Sequence, residues 1–172
     1  MNIVYILLGG NLGKVPETIS KSIEKITEQV GSCLKRSNIY VSEPWGFKSE
    51  EYFYNQAIII ETEQHPHMVL ENILSIEKEM GRKRIKNKNK YTSRNIDIDI
   101  LFYNDMILDS EDLSIPHPLM HLRSFALLPM VEIAPDFVHP VFDRTMVEIL
   151  SDCEDVSYIR KLKQHDPSYI MS

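Results

Sequence analysis

Cysteine is scarce. The 172-residue chain has two, Cys33 and Cys153, with neither CxxC spacing nor the density of a disulfide framework. A reducing, cytoplasmic setting is the expectation. Long apolar runs are missing too, and nothing approaches the roughly 20 residues of a membrane span. The opening MNIVYILLGGN has no basic leader, and its apolar stretch runs into glycines instead of a cleavage site. It reads as a first strand, not a signal peptide. Net positive charge is absent as well: 19 Lys and Arg face 25 Asp and Glu, giving −6. That argues against a general nucleic-acid binder. There is no GxxxxGK[ST] and no kinase-type Gly-rich loop, so any nucleotide chemistry lies outside those two classes. Repeats and low-complexity linkers are also lacking. What is present is an ordinary soluble composition, 43% apolar and 26% charged. Residues 1–160 are expected to form one domain, followed by a polar tail at 161–172 that frays.

The apolar pattern gives the elements. Ile3 to Leu8 is a short buried run ending at Gly9-Gly10. Pro16 suits the start of a helix that carries Ile19, Ile23, Ile26 and Val30 at helical spacing. Cys33 to Val41 and Gln56 to Thr62 read as strands. Pro66 opens a second helix bearing Val69, Leu70, Ile73, Ile76 and Met80, closed by Gly81. Ile96 to Tyr103 is a fourth strand, expected to be central because it is so apolar. A short helix over His121 to Leu128 should be broken by Pro129, and Thr145 to Glu148 resembles a capping box. The order is βαββαβ, an α+β, ferredoxin-like core. It predicts an antiparallel sheet with helices on one face and a C-terminal extension, leaving the other face for a site.

Four segments carry chemistry. In SRNIDIDILFY, Asp97 and Asp99 alternate with isoleucines, so both carboxylates share one strand face about 7 Å apart along the chain. Such a pair can hold hard divalent ions through oxygen, with phosphates and water completing the shell. A solvated strand face is the plainer alternative, but carboxylates in so apolar a strand need a use. Just before it, RKRIKNKNKYTSR places seven cations and no acid between Arg82 and Arg94. The remaining twelve cations face 25 acids, a balance of −13. Charge runs are usually solvated surface. Beside a metal pair, this one fits a phosphate clamp on a mobile, lid-like loop. SEPWGFKSEEYFYN supplies Trp45, Phe47, Tyr52, Phe53 and Tyr54, able to sandwich a flat heterocycle, with Asn55 for its polar edge. Each aromatic alone is more often core. IPHPLMHLRSF adds His117 and Arg123, candidates for further phosphate contacts.

Together these residues resemble the 6-hydroxymethyl-7,8-dihydropterin pyrophosphokinase family of folate biosynthesis. The resemblance rests on LGGN (8–11), SEPWG (42–46), YN (54–55), IEKEMGRKR (76–84), YTSRNIDIDIL (91–101) and IPHPLMHLRSF (115–125), in the family's order over roughly Asn2 to Leu150. R-x-x-D-I-D with its basic lead-in is the most specific part. The resemblance implies transfer of pyrophosphate from ATP to the pterin's hydroxymethyl group, leaving AMP. It implies two Mg2+ ions on Asp97 and Asp99, with Arg82 and Arg94 as catalytic cations and Asp97 also placed for the hydroxyl proton. Glu77, Arg84, Tyr91, Ile100, His117 and Arg123 would contact ATP. Ser42, Pro44, Trp45, Asn55 and Phe125 would hold the pterin, with Phe53 or Tyr54 as a further wall. The partners implied are these small molecules, with no nucleic acid or membrane, and fusion to or association with neighbouring folate enzymes.

The chain departs from the family in several places. Gly10 stands where Ser is usual, Thr92 where Gly or Ala is usual, and Tyr91 where Trp is common, and the loop from Arg84 to Arg94 is longer than in short members. These departures bear on the loop and on nucleotide affinity more than on the reaction. Two other readings stay open: an inactive paralogue that still binds pterin or nucleotide, and a ferredoxin-like binding module. The paralogue should have lost an aspartate or arginine of the set, and none is missing. The module would want RNP-like aromatics on a basic sheet face, and no such run occurs.

Overall fold

The apolar N-terminus forms β1 (Asn2–Gly10), which alternates cleanly. Val4, Ile6 and Leu8 enter one apolar layer, and Ile3, Tyr5 and Leu7 enter the other. The computed structural model describes residues 1–42, 51–81 and 94–162. After β1 come α1 (Val15–Gln29), β2 (Ser32–Arg36), β3 (Tyr40–Ser42), β4 (Phe53–Thr62), α2 (Pro66–Glu79) and β5 (Asp97–Tyr103). The extension adds β6 (Leu108–Asp109), β7 (Ser114–Ile115), a single 3-10 turn (Met120–Leu122), α3 (Ser124–Ile133), β8 (Val138–His139), β9 (Arg144–Thr145), α4 (Met146–Ser151) and β10 (Ile159–Lys161).

The main sheet runs β10-β3-β4-β1-β5, with β2 also pairing with β4, and every pairing is antiparallel. This is the expected α+β, βαββαβ core. Helices α1 and α2 cover one face, burying Ile19, Ile23, Ile26, Val69, Ile73 and Ile76 against Val4, Ile6, Leu8, Ile58 and Ile60. Each such side chain contributes about 1.5–3 kcal/mol relative to exposure. The extension builds a second layer on the opposite face, where α3 and α4 set Ala126, Leu127, Met130, Met146 and Ile149 against Leu7, Ala57, Ile59 and Leu101. Among the described residues, no helix is long and apolar enough to cross a membrane.

Four details differ from the sequence reading. The strand expected from Cys33 to Val41 is two strands. The ladder survives the break because the Ser37 N–H donates to the Ala57 carbonyl at 2.8 Å, while the Ser37 hydroxyl accepts the Ala57 N–H at 2.9 Å. The aspartate strand β5 is terminal in the sheet, not central. Its apolar character comes from being sandwiched: Ile98 and Ile100 enter one layer, Leu101 and Phe102 the other. Helix α3 continues through Pro129 to Ile133. Pro129 lies inside the helix and forfeits the bond its N–H would give to the Phe125 carbonyl, a cost offset by burial of Leu127, Met130 and Ile133. Finally, Lys161 belongs to β10, paired with β3, and Leu162 is fully buried against Ile39 and Val41. Fraying from about 160 therefore does not extend to these residues, and 163–172 lie outside the described residues.

Candidate active site

The site is built where the second layer stops short of the end of the sheet. Pairing places Asn55 of β4 opposite Gly9 of β1, and Gly9 opposite Asp97 of β5. The three residues form a row across three strands. By alternation Asn55 shares the face of Ala57 and Ile59, and Asp97 and Asp99 share that of Leu101, which is the α3 side. Asn55 and Asp97 are thus two inter-strand spacings apart, about 10 Å. Gly9 contributes no side chain, and the buried Asn55 fills the gap: its side-chain oxygen lies where a Cβ on Gly9 would fall. Ser42 and Phe53, paired across β3 and β4, lie on the same face one step further out. Tyr54 instead packs into the opposite layer, so of the two aromatics proposed as a wall it is Phe53 that shares Asn55's face.

A cleft of about 460 Å3 runs along the outer edge of β5. Helix α2 lines one wall with Leu70, Leu74 and Glu77. The β6–β7 turn supplies Glu111 to Ser114, and the segment before α3 supplies His117, Pro118 and Arg123. Arg94, Asp97, Asp99, Ile98 and Ile100 complete the lining. The Arg94 guanidinium meets the Asp97 carboxylate at 3.0 Å. Asp97 and Asp99 keep 28% and 30% of their side chains exposed, so both can offer oxygens to the cleft. Two half-open carboxylates on one face make a hard-oxygen donor set, which suits a divalent ion that also takes phosphate oxygens.

Two basic side chains of the cleft are tuned by burial. The Arg123 guanidinium is buried beside the Phe125 ring, 5.5 Å from its centroid, and burial lowers its pKa to about 10. It stays charged at neutral pH, and its poor hydration makes it ready to exchange water for an anion. Burial also pushes His117 below the ordinary histidine value. The Asp97 charge partly opposes that, and His121 adds to it. The ring's hydrogen bond assigns its tautomer. Nδ1 accepts the Leu119 N–H at 3.2 Å, so the proton of the neutral ring sits on Nε2, which faces Asp99 at 4.0 Å. A neutral His117 therefore aims a donor into the cleft. Backbone holds it there as well, since the His117 N–H donates to the Leu101 carbonyl at 2.9 Å.

All seven described residues expected on the nucleotide and metal side line this one cleft: Glu77, Arg94, Asp97, Asp99, Ile100, His117 and Arg123. The described residues expected around the pterin do not line it. Ser42, Phe53 and Asn55 lie on the adjoining sheet face, and Phe125 stands on α3 beside Arg123. Pro44, Trp45, Arg82, Arg84 and Tyr91 lie outside the described residues. Sequence reasoning missed the β6–β7 turn. On α2 it named Glu77 and placed Leu70 on the apolar face, but did not join them through Leu74 into one stripe. The stripe was legible as i, i+4, i+7 on α2, adjacent to the core face. The turn carried no signal beyond its polarity.

Known proteins resemble this chain in sequence and in fold. A model of the 7,8-dihydro-6-hydroxymethylpterin-pyrophosphokinase family matches residues 5–135. The folic acid synthesis protein fol1 of Pneumocystis carinii is 40% identical over 163 residues, which cover 95% of this chain and 20% of that protein. The chain therefore spans about a fifth of that relative's length. The 2-amino-4-hydroxy-6-hydroxymethyldihydropteridine pyrophosphokinase of Aquifex aeolicus is 37% identical over 148 residues, 86% of this chain and 90% of its own. The crystal structure of wild-type HPPK-DHPS from Plasmodium falciparum with pteroate matches with a TM-score of 0.70 over 87% of this chain and 44% of that one, at 17% identity, a likeness of fold. The chain belongs to the 7,8-dihydro-6-hydroxymethylpterin-pyrophosphokinase family, a family of ATP-dependent pyrophosphotransferases.

Proposed function

We propose that this chain transfers a diphosphate group from ATP to the hydroxymethyl group of 6-hydroxymethyl-7,8-dihydropterin, releasing AMP, as a step of folate biosynthesis. The observation that carries the reading is the row Asn55–Gly9–Asp97, which joins a polar, aromatic-flanked sheet face to a cleft bearing Arg94, His117 and Arg123. Asn55 offers donors and an acceptor to the pterin's amide edge, with Ser42, Phe53 and Phe125 around it. Glu77, Ile100, His117 and Arg123 bind the nucleotide. Pro44 and Trp45 on the pterin side, and Arg82, Arg84 and Tyr91 on the ATP side, enter on the sequence resemblance.

The donor set of Asp97 and Asp99 fits Mg2+, and two such ions, when bound, would neutralise charge developing on the transferring group. In the transfer itself, the hydroxymethyl oxygen bonds to the β-phosphorus of ATP. The bond from that phosphorus to the α–β bridging oxygen breaks, and AMP leaves with the oxygen. Asp97 takes the hydroxyl proton. Arg94, with Arg82, meets the charge gathering on the phosphoryl oxygens. His117 donates to a phosphate oxygen as the neutral Nε2–H tautomer. A cytoplasmic location and association with, or fusion to, other folate enzymes belong to the same proposal; the length of the fol1 relative supports the latter.

The test is AMP formation from ATP and Mg2+ with the hydroxymethyl pterin present and absent, with the pterin product identified by mass. AMP should appear only with the pterin. Asp97→Ala and Asp99→Ala should each lower turnover by about a hundredfold or more while the fold is kept. Near-normal turnover in either variant would overturn its assignment.

A further inference from the structure

Arg94 can meet a phosphate only as well as its backbone is placed, and that backbone is gripped by the turn after β1, with Asn11 bonding both its N–H and its carbonyl. Asn11, buried in the turn after β1, accepts the Arg94 N–H through Oδ1 at 2.8 Å. Its own N–H donates to the Arg94 carbonyl at 2.8 Å, and the Leu12 N–H shares that carbonyl at 3.2 Å. Both backbone polar groups of Arg94 are therefore held from Asn11. Its neighbours make the grip possible. A Cβ on Gly10 would stand 2.5 Å from the Asn95 carbonyl oxygen and 3.1 Å from that of Arg94, so β1 approaches this closely because position 10 has no side chain. On the far side, the Asn95 side-chain amide donates to the Met80 carbonyl at 2.5 Å, at the end of the helix that carries Glu77.

We propose that Asn11 is a positioning residue for Arg94: it fixes the root of that side chain so that the guanidinium holds its place beside Asp97. The role rests on the function proposed above, in which Arg94 acts on the phosphates. The physical argument is geometric. A charge that must meet a transition state tolerates little error, and a displacement of about 1 Å can cost a hundredfold. A long, flexible side chain inherits every shift of its own Cα.

Four proteins separate positioning from simple folding support: the wild type, Asn11→Ala, Arg94→Ala and the double variant, each assayed for kcat and for the KM of both substrates. Asn11→Ala should lower kcat by roughly tenfold to a hundredfold with little change in the KM for ATP. In the Arg94→Ala background the same substitution should change kcat by less than about twofold, because the group it positions is gone. An equal loss in both backgrounds would overturn the proposal. Amide hydrogen exchange at Arg94 tests the grip without turnover. The wild-type amide should be protected, and Asn11→Ala should exchange at least about tenfold faster. Asn11→Asp keeps an acceptor oxygen in place and should keep the protection, which also covers the case in which Asn11→Ala does not fold. Equal exchange in wild type and Asn11→Ala, or lost protection in Asn11→Asp, would overturn the grip. A wild type that makes no AMP would instead overturn the function while leaving the exchange result to be read.

Discussion

A methyl group on Gly9 would fall where the Asn55 side-chain oxygen lies. Asn55 is buried and faces the pterin side of the proposed site, so it cannot swing into solvent to make room. Gly9→Ala should therefore weaken pterin binding by about tenfold or more, equivalent to about 1.4 kcal/mol. ATP binding should hold, because Gly9 does not line the nucleotide cleft. Titration of each ligand separately checks this, and unchanged pterin affinity would refute the role given to Asn55. Arg94→Ala should show the complementary pattern, with turnover falling far more than ATP affinity, since its charge acts on the transferring group. At this scale the sequence was informative about chemistry and silent about contacts. Asp97 and Asp99 announced themselves by alternation within apolar neighbours, and Arg94 by its place before them. Asn11 stood only inside the LGGN motif with no role attached, because the backbone N–H it bonds is 83 residues away, which no local pattern encodes.

Elements were legible where periodicity was strong and opaque where tertiary pairing decided. Helices α1 and α2 follow the spacing of their isoleucines and start at prolines, and the capping box at Thr145 and Glu148 is formed in both directions. The division of β2 from β3 was invisible because Ser37 looks like any strand residue until its hydroxyl is seen replacing a carbonyl in the ladder. The edge position of β5 was hidden for a related reason. A strand buried on both faces reads as continuous apolar sequence whether or not both of its edges are paired. Strand β10 was missed because Ile159–Lys161 is short and polar, and Leu162 is a lone apolar residue after it. That residue fills the space over Ile39 and Val41 at the sheet's other end, next to the strand that presents Ser42. Leu162→Ala should cost about 2–5 kcal/mol. At the lower end of that range the melting midpoint drops by roughly 4–8 °C. Thermal unfolding of the full chain measures it, and a change of under about 1 °C would show that β10 contributes nothing to the sheet.

Stability against acid is a property of the whole molecule, and here it is set first by buried histidines. His139 is buried between the Phe102 edge at 5.2 Å and the Phe142 ring stacked at 4.3 Å. Its Nδ1 accepts two backbone N–H groups, from Val141 at 3.2 Å and Phe142 at 3.3 Å, so protonation there would break both. Burial, with a smaller push from His121, lowers its pKa to about 4, and His121 is itself lowered by burial. The folded value lies below the unfolded value of about 6.5, so the unfolded chain takes up the proton first as pH falls. The stabilisation is complete above about pH 6.5 and is lost progressively down to about pH 4. Glu132 and Asp155 act lower. Burial raises each, but hydrogen bonds from Tyr40 and Asn38 to Glu132, and from Ser157 and Ser124 to Asp155, outweigh it and leave both lowered. Their contribution is present above the unfolded carboxylate range of about 4 and fades below it. The two windows adjoin, so stability should decline from pH 6.5 downward with histidines dominating the upper part. His139→Asn separates them, because an amide oxygen can accept the same backbone N–H groups but cannot take up a proton in this range. Unfolding midpoints measured from pH 7 to pH 4.5 should fall less steeply in His139→Asn than in the wild type, with the curves converging toward the acid end. Parallel curves would mean that His139 titrates alike in the folded and unfolded chain.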